Sequence, residues 1–260
     1  MSIPEAGFPR TATVSSRVQV VETTDSTNAD VVAAVTADPA GWPSLSLLIT
    51  DDQRAGRGRL DRSWTAPAGT ALAVSMVVDA STVPVTLRGW IPLIAGAAMT
   101  KAVGDQLAGH SGTTELKWPN DVLVDGAKIC GILAEAVPGT FDTVVVGAGV
   151  NTRMSRADLP VPTATSFAAV GASCDEDRLL ADYVGTFSDF LAALSTGGEE
   201  RVHRDVEKVC ATVGREVTVA LPDGTSLTGR ATHLDRTGRL VVSAGTIVTT
   251  VSAGDVVHVR

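Results

Sequence analysis

Two short, largely apolar runs, Leu45–Thr50 and Ala71–Val78, flank the segment that most constrains this chain. Apolar runs of that length read as strands buried on both faces. Between them lies Asp51-Asp52-Gln53-Arg54-Ala55-Gly56-Arg57-Gly58-Arg59-Leu60-Asp61-Arg62-Ser63-Trp64, with four arginines and two glycines. Glycine lets a backbone pass close to a ligand and take positive φ. Arginine presents a fixed fork of donors that matches phosphate and carboxylate oxygens. A basic loop on a buried sheet suits an anionic small molecule, but short basic runs are also common on solvated surfaces.

The rest of the chain makes that loop unusual. Its formal net charge is −8 over 260 residues and its pI is near 5.0. This balance argues against general nucleic-acid binding and against docking on an anionic membrane. The local positive charge therefore points to a small anion. Cys130, Cys174 and Cys210 lie far apart without metal-ligand spacing, which suits reduced thiols in the cytoplasm. No stretch is long and apolar enough to span a bilayer. Met1–Arg17 lacks an apolar signal core and is read as a flexible lead-in.

Val18–Glu22 alternates as a short strand. Asp25 or Ser26 then caps a helix over Ala29–Ala37. A helix start also gathers free amides beside hydroxyls, which suits a polar ligand head; the motif does not choose between these roles. Leu87–Leu107 reads as a long amphipathic helix with Trp90, Leu93, Ile94, Ala97, Ala98 and Leu107 on its apolar side. Glu115–Val124 reads as strand, proline-set corner and strand, and Asp125-Gly126 as a hairpin turn. Lys128 opens the next strand, either an edge lysine or a charge aimed at a ligand. Phe141–Val150 supplies another strand, ending in Gly147-Ala148-Gly149-Val150-Asn151. Ser173 and Glu176 form a capping box ahead of an apolar stripe from Leu179 to Leu194. Arg201–Cys210 is a short polar helix. From Ala211 short β-rich runs alternate with turn signals, the pattern of a small antiparallel barrel.

Asp25-Ser26-Thr27-Asn28, the Gln53–Trp64 loop, Lys117-Trp118-Pro119-Asn120-Asp121, Lys128 with Gly131-Ile132-Leu133, and Gly147–Asn151 occur in that order. Together they resemble the signature set of the biotin–protein ligases, over Val18 to the C-terminus. The chain departs from the family pattern at Asp61, where a glycine is common, and at Cys130, where alanine is frequent. Aspartate tolerates left-handed φ better than most residues, which lets the loop fold.

The resemblance implies an α+β fold: a mixed central sheet with helices on one side, plus a small C-terminal SH3-like barrel. It divides the chain into a lead-in (1–17), a catalytic domain (18–210) and the C-terminal domain (211–260). It implies an ATP-dependent enzyme that joins biotin to AMP and then transfers biotin to a lysine of a biotin carboxyl carrier domain. Lys128, Arg57 and Arg59 would be catalytic. Ser26, Thr27, Asn28, Gln53, Arg57, Gly58, Arg59, Lys128 and Gly131 would bind biotin. Arg59, Trp64, Asn120, Lys128 and Asn151 would bind the nucleotide, and Asp121 would hold Mg²⁺. ATP and Mg²⁺ would be co-substrates, with no tightly bound prosthetic group. The chain would be a monomer or homodimer. Some family members carry an N-terminal DNA-binding segment, which is not expected here. The alternatives are a lipoate or octanoyl transferase, against which the arginine loop speaks, a biotin-adenylate sensor acting in transcription, and a degenerate, inactive ligase.

Overall fold

The computed structural model describes residues 4, 6–60 and 62–259. In chain order it contains α1 (Pro9–Val14), β1 (Arg17–Val20), α2 (Thr27–Ala37), β2 (Ser46–Thr50), β3 (Gly56–Arg57), β4 (Ser63–Trp64) and β5 (Ala71–Asp79). There follow α3 (Ile91–Gln106), β6 (Thr114–Lys117), β7 (Asp121–Val124), β8 (Ala127–Ala136) and β9 (Thr143–Asn151). Next come α4 (Glu176–Ser195), α5 (Glu199–Val209), β10 (Glu216–Ala220), β11 (Ser226–Leu234), β12 (Leu240–Ala244), β13 (Ile247–Val251) and β14 (Asp255–His258).

Seven strands form one mixed sheet in the order β1-β2-β5-β9-β8-β7-β6. Only β1 and β2 run parallel; the other neighbours are antiparallel. The two-residue side-chain period sorts the strands' residues to two faces. Leu47, Ile49, Leu72, Val74, Met76, Val146 and Val150 join the large core with α3 and α4. Leu48, Val77 and Val145 point the other way and pack on Val31 and Val35 of α2. The helices thus gather on one side as expected, and α2 alone covers part of the opposite face. That face also carries Ser75, covered by the start of α2, and Ala73, Gly147 and Gly149, which line an opening beside it.

α3 is not the two-faced helix its sequence predicts. Val85–Trp90 is a 3₁₀ turn and the α-helix begins at Ile91. Nearly every residue from Ile91 to Val103 is buried, because the sheet lies on one side of α3 and α4 and α5 on the other. Small residues make this fit possible: a Cβ on Gly96 would stand 2.5 Å from Leu116.

Residues 9–14, expected to be part of a flexible lead-in, form α1 docked on α4. The reason is a carboxylate 166 residues away. Asp177 accepts from the backbone of Arg10 at 3.0 Å and of Thr11 at 2.9 Å, so it does from a distance what a helix-capping side chain does locally. Thr11 Oγ1 adds a bond to the same carboxylate, at 2.9 Å. Asp177→Ala should therefore lower stability by about 1–3 kcal/mol, since it strands buried donors. Chemical denaturation checks the loss, and an unchanged midpoint would refute the capping role. The expected capping box is also corrected. Asp175 is the N-cap of α4, accepting from Arg178 N, and Ser173 is not.

The C-terminal strands form a five-stranded antiparallel sheet, order β13-β12-β11-β10-β14. The expected SH3-like domain is thus present as five antiparallel strands, whose edges β13 and β14 are not paired with each other among the described residues. Two indoles fasten it to the rest. Trp90 Nε1 donates to Arg236 O at 3.0 Å, and Trp118 Nε1 donates to Gly238 O at 3.1 Å. Trp118 N donates to Thr212 Oγ1 at 3.0 Å. The β13–β14 turn meets the arginine loop, with Gly254 O accepting from Arg59 Nη1 at 3.4 Å.

Candidate functional site

The open part of the α2 face is a cavity of ≈ 160 Å³. Of the residues that the sequence singles out, Ser26, Thr27, Asn28, Gln53, Arg57, Gly58, Arg59, Trp64, Asn120, Asp121, Lys128 and Gly131 line it. Four separated segments therefore converge on one space: the start of α2, the arginine loop, the β6–β7 corner and the start of β8.

The floor is a chain of polar groups. Thr27 N and Oγ1 donate to Gln53 Oε1 at 2.8 and 3.0 Å. Ser75 Oγ, on β5, donates to Asn28 Oδ1 at 2.6 Å and lies 2.8 Å from Thr27 Oγ1. Asn28 Nδ2 donates to Glu135 Oε2 at 2.7 Å, and that oxygen also accepts from Arg57 Nη2 at 3.0 Å. Donors and acceptors are thus set side by side in a buried strip. Ser26 caps α2 as expected, accepting from Ala29 N at 3.4 Å, and it also lines the cavity. A glycine is required beside this strip. A Cβ on Gly147 would stand 2.3 Å from Asn28 Oδ1.

Lys128 reaches the cavity through a backbone irregularity. Strict alternation along β8 would send it the way of Cys130 and Ile132, which are buried in the core. The ladder with β7 shifts register here, Cys130 pairing with Val122 and Lys128 with Leu123. The extra residue turns Lys128 onto the face of Gly131 and Asp121. Its ammonium lies 2.6 Å from Asp121 Oδ1. Lys128 is not an edge lysine either: its N–H donates to Thr163 O, and its carbonyl accepts from Thr165 N, each at 2.7 Å. Neighbouring Cys130 packs as a small hydrophobe, its thiol pushed up to about 12 by burial.

The arginine loop is pinned at its base, where Gly69 N donates to Asp51 O at 2.8 Å, and folds over the cavity as the β3–β4 ribbon. Arg59 Nη1 donates to Asn120 Oδ1 at 3.1 Å and to Gly254 O at 3.4 Å. Burial presses the Arg59 pKa downward, against the pull of Asp121. Arg62 pairs with Asp255, which brings the C-terminal sheet into the cavity wall. The Trp64 indole lies across Gly149; a Cβ there would come within 2.6 Å of it. Asp61 lies outside the described residues.

Asn151 is the one expected site residue that does not line this cavity. It lines a neighbouring space of ≈ 220 Å³ that shares Ser63, Trp64, Lys128, Gly131 and Gly149 with the first. Its Nδ2 donates to Thr165 O at 2.8 Å, so it also holds the 152–166 loop. Asp121 is engaged by Lys128. No group of three or more His, Cys, Asp or Glu among the described residues is arranged to hold a metal ion. A metal site built from protein ligands alone is thus absent among the described residues; Mg²⁺ is usually held by one or two carboxylates together with substrate phosphates.

Sequence reasoning did not find Ser75, Glu135, Arg62 or Asp255. Glu135 carried a signal: it follows Gly131 and Leu133 at two-residue steps on the face that meets the loop. Ser75 is a lone hydroxyl in an apolar strand, which is itself an oddity. Asp255 carried none, because its place depends on how the C-terminal sheet docks.

The chain matches the family described as biotin/lipoate A/B protein ligase over residues 20–151, and the biotin protein ligase C-terminal domain over residues 212–259. It is 37% identical, over 94% of its length and 90% of the relative's, to a Mycobacterium tuberculosis protein named biotin–[acetyl-CoA-carboxylase] ligase. The Escherichia coli bifunctional ligase/repressor BirA is 26% identical, over 92% of this chain and 73% of that one. In fold it is similar to the biotin protein ligase from Aquifex aeolicus solved in complex with biotin and ATP. That likeness has a TM-score of 0.77 and 22% identity, and it covers 94% of this chain and 99% of the other.

Proposed function

The chain belongs to the biotin/lipoate A/B protein ligase family, and we propose that its arginine-lined cavity forms biotinyl-5′-AMP and passes biotin to a lysine of a biotin carboxyl carrier domain. It is an ATP-dependent ligase of the biotin branch. The observation that carries the site assignment is the convergence of Arg57, Arg59 and Lys128 on the Gln53–Thr27–Ser75–Asn28 strip.

The roles follow from chemistry. A urea head has both donors and acceptors, and the strip offers both. Ser26, Thr27, Asn28 and Gln53 hold that head. Lys128 meets the carboxylate and then the α-phosphate, whose charge grows in the transition state. Arg57, Gly58 and Arg59 close over the acyl phosphate and keep water from it. Trp64 gives the adenine a flat apolar face. Asn120 contacts the nucleotide from the corner, and Asn151 does so from the neighbouring cavity. Mg²⁺ would enter as the complex of ATP.

Carrier domains of carboxylases are the proposed acceptors. No helix among the described residues is long and apolar enough to cross a membrane. A cytoplasmic site of action is proposed from the three free cysteines. The test is incubation with biotin, MgATP and an isolated carrier domain, read by mass spectrometry. One biotin added on one lysine is expected. Modification with lipoate or octanoate in its place would overturn the assignment.

A further inference from the structure

Lys117 is a half-buried cation that its surroundings leave unmatched. The β6–β7 register pairs it directly with Asp121, which lines the cavity, so both side chains leave the same face of the hairpin. Asp121 is already taken by Lys128 at 2.6 Å. Glu115, two residues back, pairs with Arg215 at 3.8 Å. The Lys117 ammonium has no hydrogen bond or ion pair among the described residues. Its remaining charged neighbours are cations, Lys128 and Arg62.

The balance on this side of the cavity is therefore uneven. Arg62 is matched by Asp255 and Lys128 by Asp121. Arg59 donates only to neutral oxygens, and Lys117 to none. His258 adds no charge: burial first, then Lys117 and Arg215, lower its pKa to about 4. Burial, Lys128 and Arg62 also press the Lys117 pKa down, while Asp121 holds it up. A partly desolvated ammonium among cations is costly unless an anion completes it.

Resting on the ligase function above, we propose that Lys117 binds the β- and γ-phosphates of ATP and receives the departing pyrophosphate. A biotin carboxylate oxygen forms its bond to the α-phosphorus, and the bond from that phosphorus to the bridging oxygen breaks. The electron pair leaves on pyrophosphate, and Lys117 meets that added charge. Lysine suits the task, being a compact point charge on a mobile stem. Its contribution falls on the first half of the reaction alone.

The experiment compares the unsubstituted protein with Lys117→Met and Lys117→Arg. Biotin-dependent ATP–pyrophosphate exchange in Lys117→Met should fall about 10²-fold, with a raised KM for pyrophosphate. Biotin affinity, measured calorimetrically, should stay within about twofold, which also verifies the fold. Transfer from preformed biotinyl-5′-AMP to a carrier domain should be unchanged. Lys117→Arg should recover part of the exchange, since it restores the charge but not its shape. Normal exchange in Lys117→Met overturns the proposal, and so does transfer that falls as far as exchange. No exchange in the unsubstituted protein overturns the ligase reading itself.

Discussion

Lys128→Ala should lower biotin-dependent ATP–pyrophosphate exchange by about 10³-fold while leaving the protein folded. The expectation rests on where the charge sits. The β8 irregularity aims the ammonium into the cavity, and Gly131 leaves it room: a Cβ there would stand 3.0 Å from Nζ. Bonds to Thr163 and Thr165 fix the backbone beneath it. Removing the side chain takes away the cation proposed to meet both reacting anions. It also frees the Asp121 carboxylate, which then repels the phosphates, so two unfavourable effects add. Stability should barely change, because the Lys128 side chain is 41% exposed and an exposed ion pair contributes little. The readouts are isotope exchange and a thermal melt. Exchange at the normal rate would refute the role of Lys128.

Arg59→Ala should act later, on retention of the intermediate. Its guanidinium ties three parts together: the loop, Asn120 at the β6–β7 corner, and Gly254 in the C-terminal sheet. Both bonds go to uncharged oxygens, so their loss leaves no unpaired charge behind. What is lost is the tie that, on the proposed function, latches the ribbon down over the acyl phosphate. Release of biotinyl-5′-AMP should quicken by about 10²-fold, and slow hydrolysis in solution should follow. Rapid gel filtration of the enzyme–adenylate complex, timed after ATP is removed, measures this directly. Retention equal to that of the unsubstituted protein would show that the latch lies elsewhere.

How much of this was readable from the residues depended on distance along the chain. β5, β9 and α2 announce themselves through local patterning, and the structure moves their ends by only a residue or two. The motifs gave most of the cavity lining for the same reason: each is a short run whose residue types suit one chemistry. What escaped was set by packing between distant segments. The burial of α3 depends on α4 and α5 closing its outer side. The docking of α1 depends on Asp177. Glu135 and Asp255 enter the site through sheet register and domain docking, neither of which leaves a local mark. Lys117 stood in full view inside a motif, but its lack of a counter-ion shows only when its neighbours' partners are known.

The strip from Gln53 through Thr27, Ser75 and Asn28 to Glu135 is a linked row of polar groups along the cavity floor. An acid with a plain hydrocarbon or dithiolane end would pry those groups apart and give them nothing in return. Its penalty is a row of stranded amides and hydroxyls, and no gain in oily contact offsets that. On the proposed assignment of this strip, selectivity for biotin over fatty or dithiolane acids would come from refusal as much as from attraction.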